Sequence, residues 1–127
     1  MESAEYKRHD NNDIELTKPL EVRIGKYEFD VPKGFVSDGA SIPRFLWWLF
    51  TPFSPDTIDA AIPHDFVYRN QSWWARMGYN KKDADIMMNL IMIERKVSGW
   101  KRRWIYAGLR TFGWIGWNEN KRKSKKK

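Results

Sequence analysis

Between Leu20 and Val31 apolar and polar positions alternate on both sides of Gly25-Lys26. Leu20, Val22 and Ile24 alternate with Glu21 and Arg23; Tyr27, Phe29 and Val31 alternate with Glu28 and Asp30. A period of two is that of a half-buried strand. Glycine at the first loop position accepts the positive φ of a type II′ turn, so the pattern predicts a hairpin with a two-residue loop. That register opposes Ile24 to Tyr27 and Val22 to Phe29 on one face. Ile14-Glu15-Leu16 predicts a further short strand before Pro19, and Val31-Pro32-Lys33-Gly34 ends the hairpin.

After the hairpin the period changes. Phe35 to Pro43 reads as an ordered loop, with turn or extended signals at Asp38-Gly39 and Ile42-Pro43. The apolar run Phe45 to Phe50 predicts one or two helical turns, stopped by Thr51-Pro52. Ser54-Pro55 then supplies a cap and a first-turn proline, and the helix is expected to reach about Asn70 with a kink at Pro63. A loop is expected over Gln71 to Asn80, then a second long helix over Lys81 to Lys96. Its stripe is Ile86, Leu90, Ile93 and Val97, widened by Met87, Met88, Ile91 and Met92. Ser98-Gly99 breaks it. A third helix is predicted over Trp100 to Trp117, with Trp104, Ala107, Gly108, Phe112 and Ile115 toward the core. No internal repeat is visible. The fold class expected is α+β: an N-terminal β-hairpin or small antiparallel sheet followed by about three main helices, two consecutive ones forming an antiparallel pair.

Composition adds boundaries. The 127 residues suit one domain, placed at 1–120, and 42% hydrophobic residues suffice for a core. Cysteine is absent, which excludes disulfides, thiolate metal sites and a Cys nucleophile. Met1 to Asp10 is polar, so no signal peptide is expected. The longest apolar run, Phe45 to Phe50, falls far short of the roughly 20 residues of a spanning helix. The net charge of +7 belongs to the end of the chain: Lys121 to Lys127 carry six Lys/Arg, and without them 17 basic face 16 acidic residues. Residues 121–127 are expected to be a disordered basic tail, open to nucleic acid or an anionic membrane but otherwise solvated.

The candidate chemistry centres on His64-Asp65-x-x-Tyr68. Four residues apart on a helix, His64 and Tyr68 share a face, with Asp65 beside them. Asp85 opens the next helix on its apolar side, where a carboxylate is costly without a partner. A ring nitrogen of His64 is the economical one. That arrangement suits a His base oriented by a carboxylate; it equally suits a structural His–Asp pair joining two helices.

With those residues in view, Ser54 to Met88 resembles the active-site helix pair of secreted and viral phospholipase A2 enzymes, which carry His-Asp-x-x-Tyr on one helix and Asp on the next. The likeness is to the forms without disulfides: Asp59-Ala60-Ala61 precedes the motif and Ala84-Asp85 follows it. The resemblance implies that His64 deprotonates a water, Asp85 holds its tautomer, Tyr68 braces Asp85 and Asp65 binds calcium. The chain departs from the family in its calcium loop. The only candidate, Ser37-Asp38-Gly39-Ala40-Ser41, lies too far before His64 and lacks the glycine pattern; Asp38 would serve as a side-chain ligand instead. More broadly, Gly34 to Arg44, the Trp-rich segment, His64-Asp65, Ala84-Asp85 and the Trp/Gly-rich end resemble a phage and prophage family of unknown function (domain of unknown function 1353), over roughly Val31 to Trp117.

Other features carry two readings each. Asp38 to Ser41 is a tight turn or contributes to the site through Asp38 or Ser41; no Gly-x-Ser-x-Gly elbow marks Ser41 as a nucleophile. Lys101, Arg102, Arg103 and Arg110 among Trp100, Trp104, Trp114 and Trp117 fit a helix on a membrane surface or one packed on the core. His9-Asp10 is expected to be solvated; a His-Asp metal phosphohydrolase would need more histidines than the two present. The function expected is calcium-dependent hydrolysis of phospholipid esters by a phage protein of the host cytoplasm or virion. The alternative is a non-enzymatic structural, lysis-accessory or host-takeover protein. Phospholipid membranes and other phage proteins are the expected partners, with nucleic acid only through the tail.

Overall fold

The computed structural model describes residues 3–10, 13–37, 55–115 and 117–118. The elements expected over Phe45 to Phe50, the Asp38–Ser41 turn, the Ser54 cap and the basic tail lie outside these residues. The chain is α+β: small antiparallel sheets come first, and three longer helices pack together after them.

The hairpin forms in the expected register. β1 (Tyr6–Arg8) and β2 (Ile14–Leu16) precede β3 (Leu20–Ile24) and β4 (Tyr27–Val31), and β3 pairs antiparallel with β4 through Val22↔Phe29 and Ile24↔Tyr27. Gly25 has φ of +55°, while Lys26 keeps a negative φ, as a type II′ turn requires. Leu20, Val22, Tyr27, Phe29 and Val31 are buried on the inner face. Gly25 also lies close to α3 (Lys81–Glu94): a Cβ there would stand 3.2 Å from Leu90 Cδ1.

Two strands escaped the sequence reading. β1 pairs with β2 (Tyr6↔Leu16), and β5 (Val36–Ser37), expected to be loop, pairs with the other edge of β2. β1 shows no alternation of its own, and two-residue β5 is too short for a period. Both exist because β2 offers two free edges, a tertiary circumstance.

α1 (Pro55–Arg69) runs through Pro63 as one element and starts on the predicted proline. The expected loop after it contains α2 (Gln71–Arg76). This short helix is held by packing rather than propensity. Trp74 is fully buried, stacks on Tyr27 at 5.7 Å and donates its indole N–H to the Asn80 carbonyl at 2.8 Å. Asn80 then caps α3 in a reciprocal capping box with Asp83. α3 ends two residues before the expected Lys96. Val97 N–H reaches back to the Met92 carbonyl at 3.0 Å across Lys96, whose φ of 60° closes a Schellman turn. The stripe of α3 is displaced from its expected line: Met87, Met88, Ile91 and Met92 are fully buried, while Ile93 is exposed.

α4 (Gly99–Phe112) differs most from expectation. Ile105, Gly108 and Leu109 face inward, whereas Trp104 and Ile115, expected in the core, are 62% and 71% exposed, and Ala107 is exposed too. The helix meets the core along a narrow line, so Trp104, Ala107 and Ile115 are turned out; the side chain of Phe112, also expected in the core, lies outside the described residues.

Candidate functional site

Three helices meet at one carboxylate. α1 presents His64 and Tyr68 one turn apart, α3 presents Lys81 and Asp85 one turn apart, and α4 brings Arg110 and the Leu109 carbonyl. Asp85 Oδ1 accepts from His64 Nε2 at 2.9 Å and from Tyr68 Oη at 2.8 Å. Asp85 Oδ2 accepts from Lys81 Nζ at 2.7 Å and from Arg110 Nη1 at 3.0 Å. Four donors thus surround a carboxylate that has no exposure to solvent. Burial alone would raise its pKa, but the hydrogen bonds and charges of His64 and Lys81 outweigh it and hold the carboxyl below its usual range.

The same network acts on its donors. Burial, with the Asp85 charge behind it, pushes the Tyr68 hydroxyl well above the ordinary phenol range, so Tyr68 stays a donor. Lys81 is shifted below the usual ammonium range, chiefly by burial, against the pull of Asp85. Its ammonium also donates to the Leu109 carbonyl at 2.7 Å and lies 4.9 Å from the centre of the Trp114 ring. Gly113 closes the junction: a Cβ there would collide with the Leu109 carbonyl and come within 3.0 Å of Tyr68 Oη.

The ionised Asp85 can only accept, so in the neutral imidazole the proton sits on Nε2 and the lone pair on Nδ1. Nδ1 is buried and has no hydrogen-bond partner among the described residues. The His64 ring lies 4.2 Å from that of Tyr68, tilted by 38°, which fixes its plane. The arrangement therefore holds an oriented base, shielded from bulk water.

Asp65 occupies a different place. It is buried rather than open to solvent, and Arg69 Nε stands 3.4 Å from its Oδ1. Arg69 also donates to the Val36 carbonyl at 3.2 Å, tying α1 to β5. Of the two expected calcium ligands, Asp38 lies outside the described residues, and Asp65 already faces a guanidinium. Among the described residues no three His, Asp or Glu side chains gather to hold a metal. Asp59, of the Asp59-Ala60-Ala61 stretch, fastens the fold instead, accepting from Ala4 N–H at 2.8 Å and pairing with Arg95 at 3.1 Å.

His64, Tyr68 and Asp85 meet as their spacing predicts, and Lys81 and Arg110 join them from outside the motif. Lys81 had a signal: a lysine at the first position of a helix opposes the helix dipole and stands four residues from Asp85. Arg110 had none, because its partner comes only with the docking of α4.

No helix among the described residues is long and apolar enough to cross a membrane. No curated protein and no solved structure matches the chain. The family model described as "Protein of unknown function (DUF1353)" matches residues 14–109, a span that includes His64, Tyr68, Lys81 and Asp85 and stops one residue before Arg110. The chain belongs to the DUF1353 family.

Proposed function

We propose that this protein hydrolyses ester bonds, phospholipid esters foremost, with a water activated by His64, and that it does so in a phage or prophage setting. The observation that carries the reading is a histidine whose Nε2 is anchored on Asp85 and whose Nδ1 has no hydrogen-bond partner among the described residues. Nδ1 takes a proton from water as the water oxygen attacks the ester carbonyl, and the proton then passes to the leaving alkoxide. Asp85 stabilises the imidazolium formed in between, and Tyr68 and the cations Lys81 and Arg110 hold Asp85 in place. The phospholipase A2-like order of His64, Asp65, Tyr68 and Asp85 supports the substrate class. No step is assigned to calcium.

A second reading rests on a specific observation: His64 and Asp85 are both fully shielded, and Asp85 is saturated with donors. A polar junction of that kind joins three helices without any chemistry, as in a non-enzymatic phage structural, lysis-accessory or host-takeover protein. His64→Gln separates the readings, because the amide keeps a donor for Asp85 and removes the base. Fatty-acid release from phospholipid vesicles, with calcium and with a chelator, is expected to vanish in this variant while the melting curve stays close to wild type. A wild-type protein that releases no fatty acid in either condition would leave the junction as scaffold.

A further inference from the structure

α4 has a second apolar line, and it points away from the core. Trp100, Trp104, Ala107 and Thr111 follow one another at i, i+4, i+7 and i+11, and all are exposed. Ile115 extends the line beyond the helix end, while the ring of Trp114 lies against buried Lys81. On a helix of 3.6 residues per turn these positions share one side, distinct from that of the buried Ile105 and Leu109. Exposed tryptophan and isoleucine in a contiguous row are not the usual finish of a monomer's surface.

The charge around the line says what fits it. From Lys96 to Leu109 the sequence carries four Lys/Arg and neither Asp nor Glu. Beyond it, Lys121 to Lys127 add six more against the single acid Glu119. Arg103 is exposed and Lys101 half-buried, one on each flank of the line. We propose that the outer face of α4 is a docking surface for an anionic phospholipid membrane, lying flat in the headgroup layer with Trp100, Trp104 and Ile115 inserted and the basic side chains on lipid phosphates. Indole suits that layer because one part of the ring is apolar and its N–H is polar, and basic residues beside it add attraction to anionic lipid. A second copy of the chain fits poorly, since two such faces would bring like charges together. Nucleic acid would use the cations and the indoles but leaves the aliphatic Ile115, more exposed than either Trp100 or Trp104, without a role.

The inference shares only its lipid with the hydrolase reading. Binding is therefore measured on ether-linked phospholipids, which have no carboxylic ester to cleave. The full chain is sedimented with vesicles of phosphatidylcholine alone and of phosphatidylcholine mixed with phosphatidylglycerol, at low and high salt. Wild type is expected on the mixed vesicles, less so at high salt, with its tryptophan emission shifted to the blue. Trp104→Ser with Ile115→Ser is expected to lower the partition coefficient by about tenfold or more while the protein melts as wild type does. Three results would overturn the proposal: no sedimentation with anionic vesicles, wild-type partition in the double variant, or a vesicle-independent dimer or oligonucleotide complex that the double variant dissolves in place of lipid binding. No fatty-acid release from ester-linked vesicles, with binding to the ether-linked ones intact, would count against the hydrolase alone.

Discussion

Two histidines in this chain each place Nε2 2.9 Å from a carboxylate oxygen, His9 on Glu15 and His64 on Asp85. The distances are equal, but the surroundings differ. The first pair lies at the rim of the small sheet, with 41% and 27% of the side chains exposed and Lys7 nearby at 3.7 Å. Its hydrogen bond lowers the Glu15 pKa, yet water and salt compete for both partners. The second pair has no exposure, and every alternative partner of Asp85 is itself a fixed protein donor. Desolvation, not separation, decides what a His–carboxylate contact is worth.

The hardest test of that contrast is Asp85→Asn. The amide turns an N–H₂ toward two of the four donors and leaves buried Lys81 without its counter-charge. A loss of about 3–5 kcal/mol in chemical denaturation is expected. A variant as stable as wild type would mean that the junction is not structurally coupled.

Acid titration sharpens the comparison next. Asp85 has a folded pKa below its unfolded value, so its contribution is fully present above about pH 4 and is lost as pH falls through the lower, folded value. Glu15 is shifted the same way, but at the surface. Stability followed by denaturation below about pH 4 should therefore fall, and added salt should remove little of that fall, because the buried pair is poorly screened. A drop abolished by salt would transfer the effect to the surface carboxylates.

The smallest effect is expected from His9→Ala. An exposed pair at the edge of a three-residue strand contributes little. The melting temperature should stay within the scatter of repeated scans; a clear fall would show that β1 depends on this contact for its place on β2.

The contrast is partly legible in the sequence. His64 and Tyr68 at four-residue spacing, with a carboxylate on the apolar side of the next helix, led to the three residues that meet. A buried carboxylate needs a donor, and few were within reach. His9 stood in a polar stretch and is exposed as expected, but its bond to Glu15 needed β1 and β2 to pair, and β1 carries no period. Lys81 and Arg110 completed the cage around Asp85 from positions that periodicity treats as solvent-facing.

What the sequence determined by itself is local. Alternation about Gly25 set the hairpin and its register, because one residue of slip would have turned every apolar side chain outward. Pro55 and the Asn80–Asp83 box set where two helices begin, because the free N–H groups of a first turn need such partners. The tertiary structure decided which of two apolar lines on α4 meets the core. Both lines have helical period, and an apolar line records only that it avoids water. Once Leu109 and Arg110 engage Lys81 and Asp85, the rotation of α4 is fixed by directional bonds, and Trp104 and Ile115 are left outside.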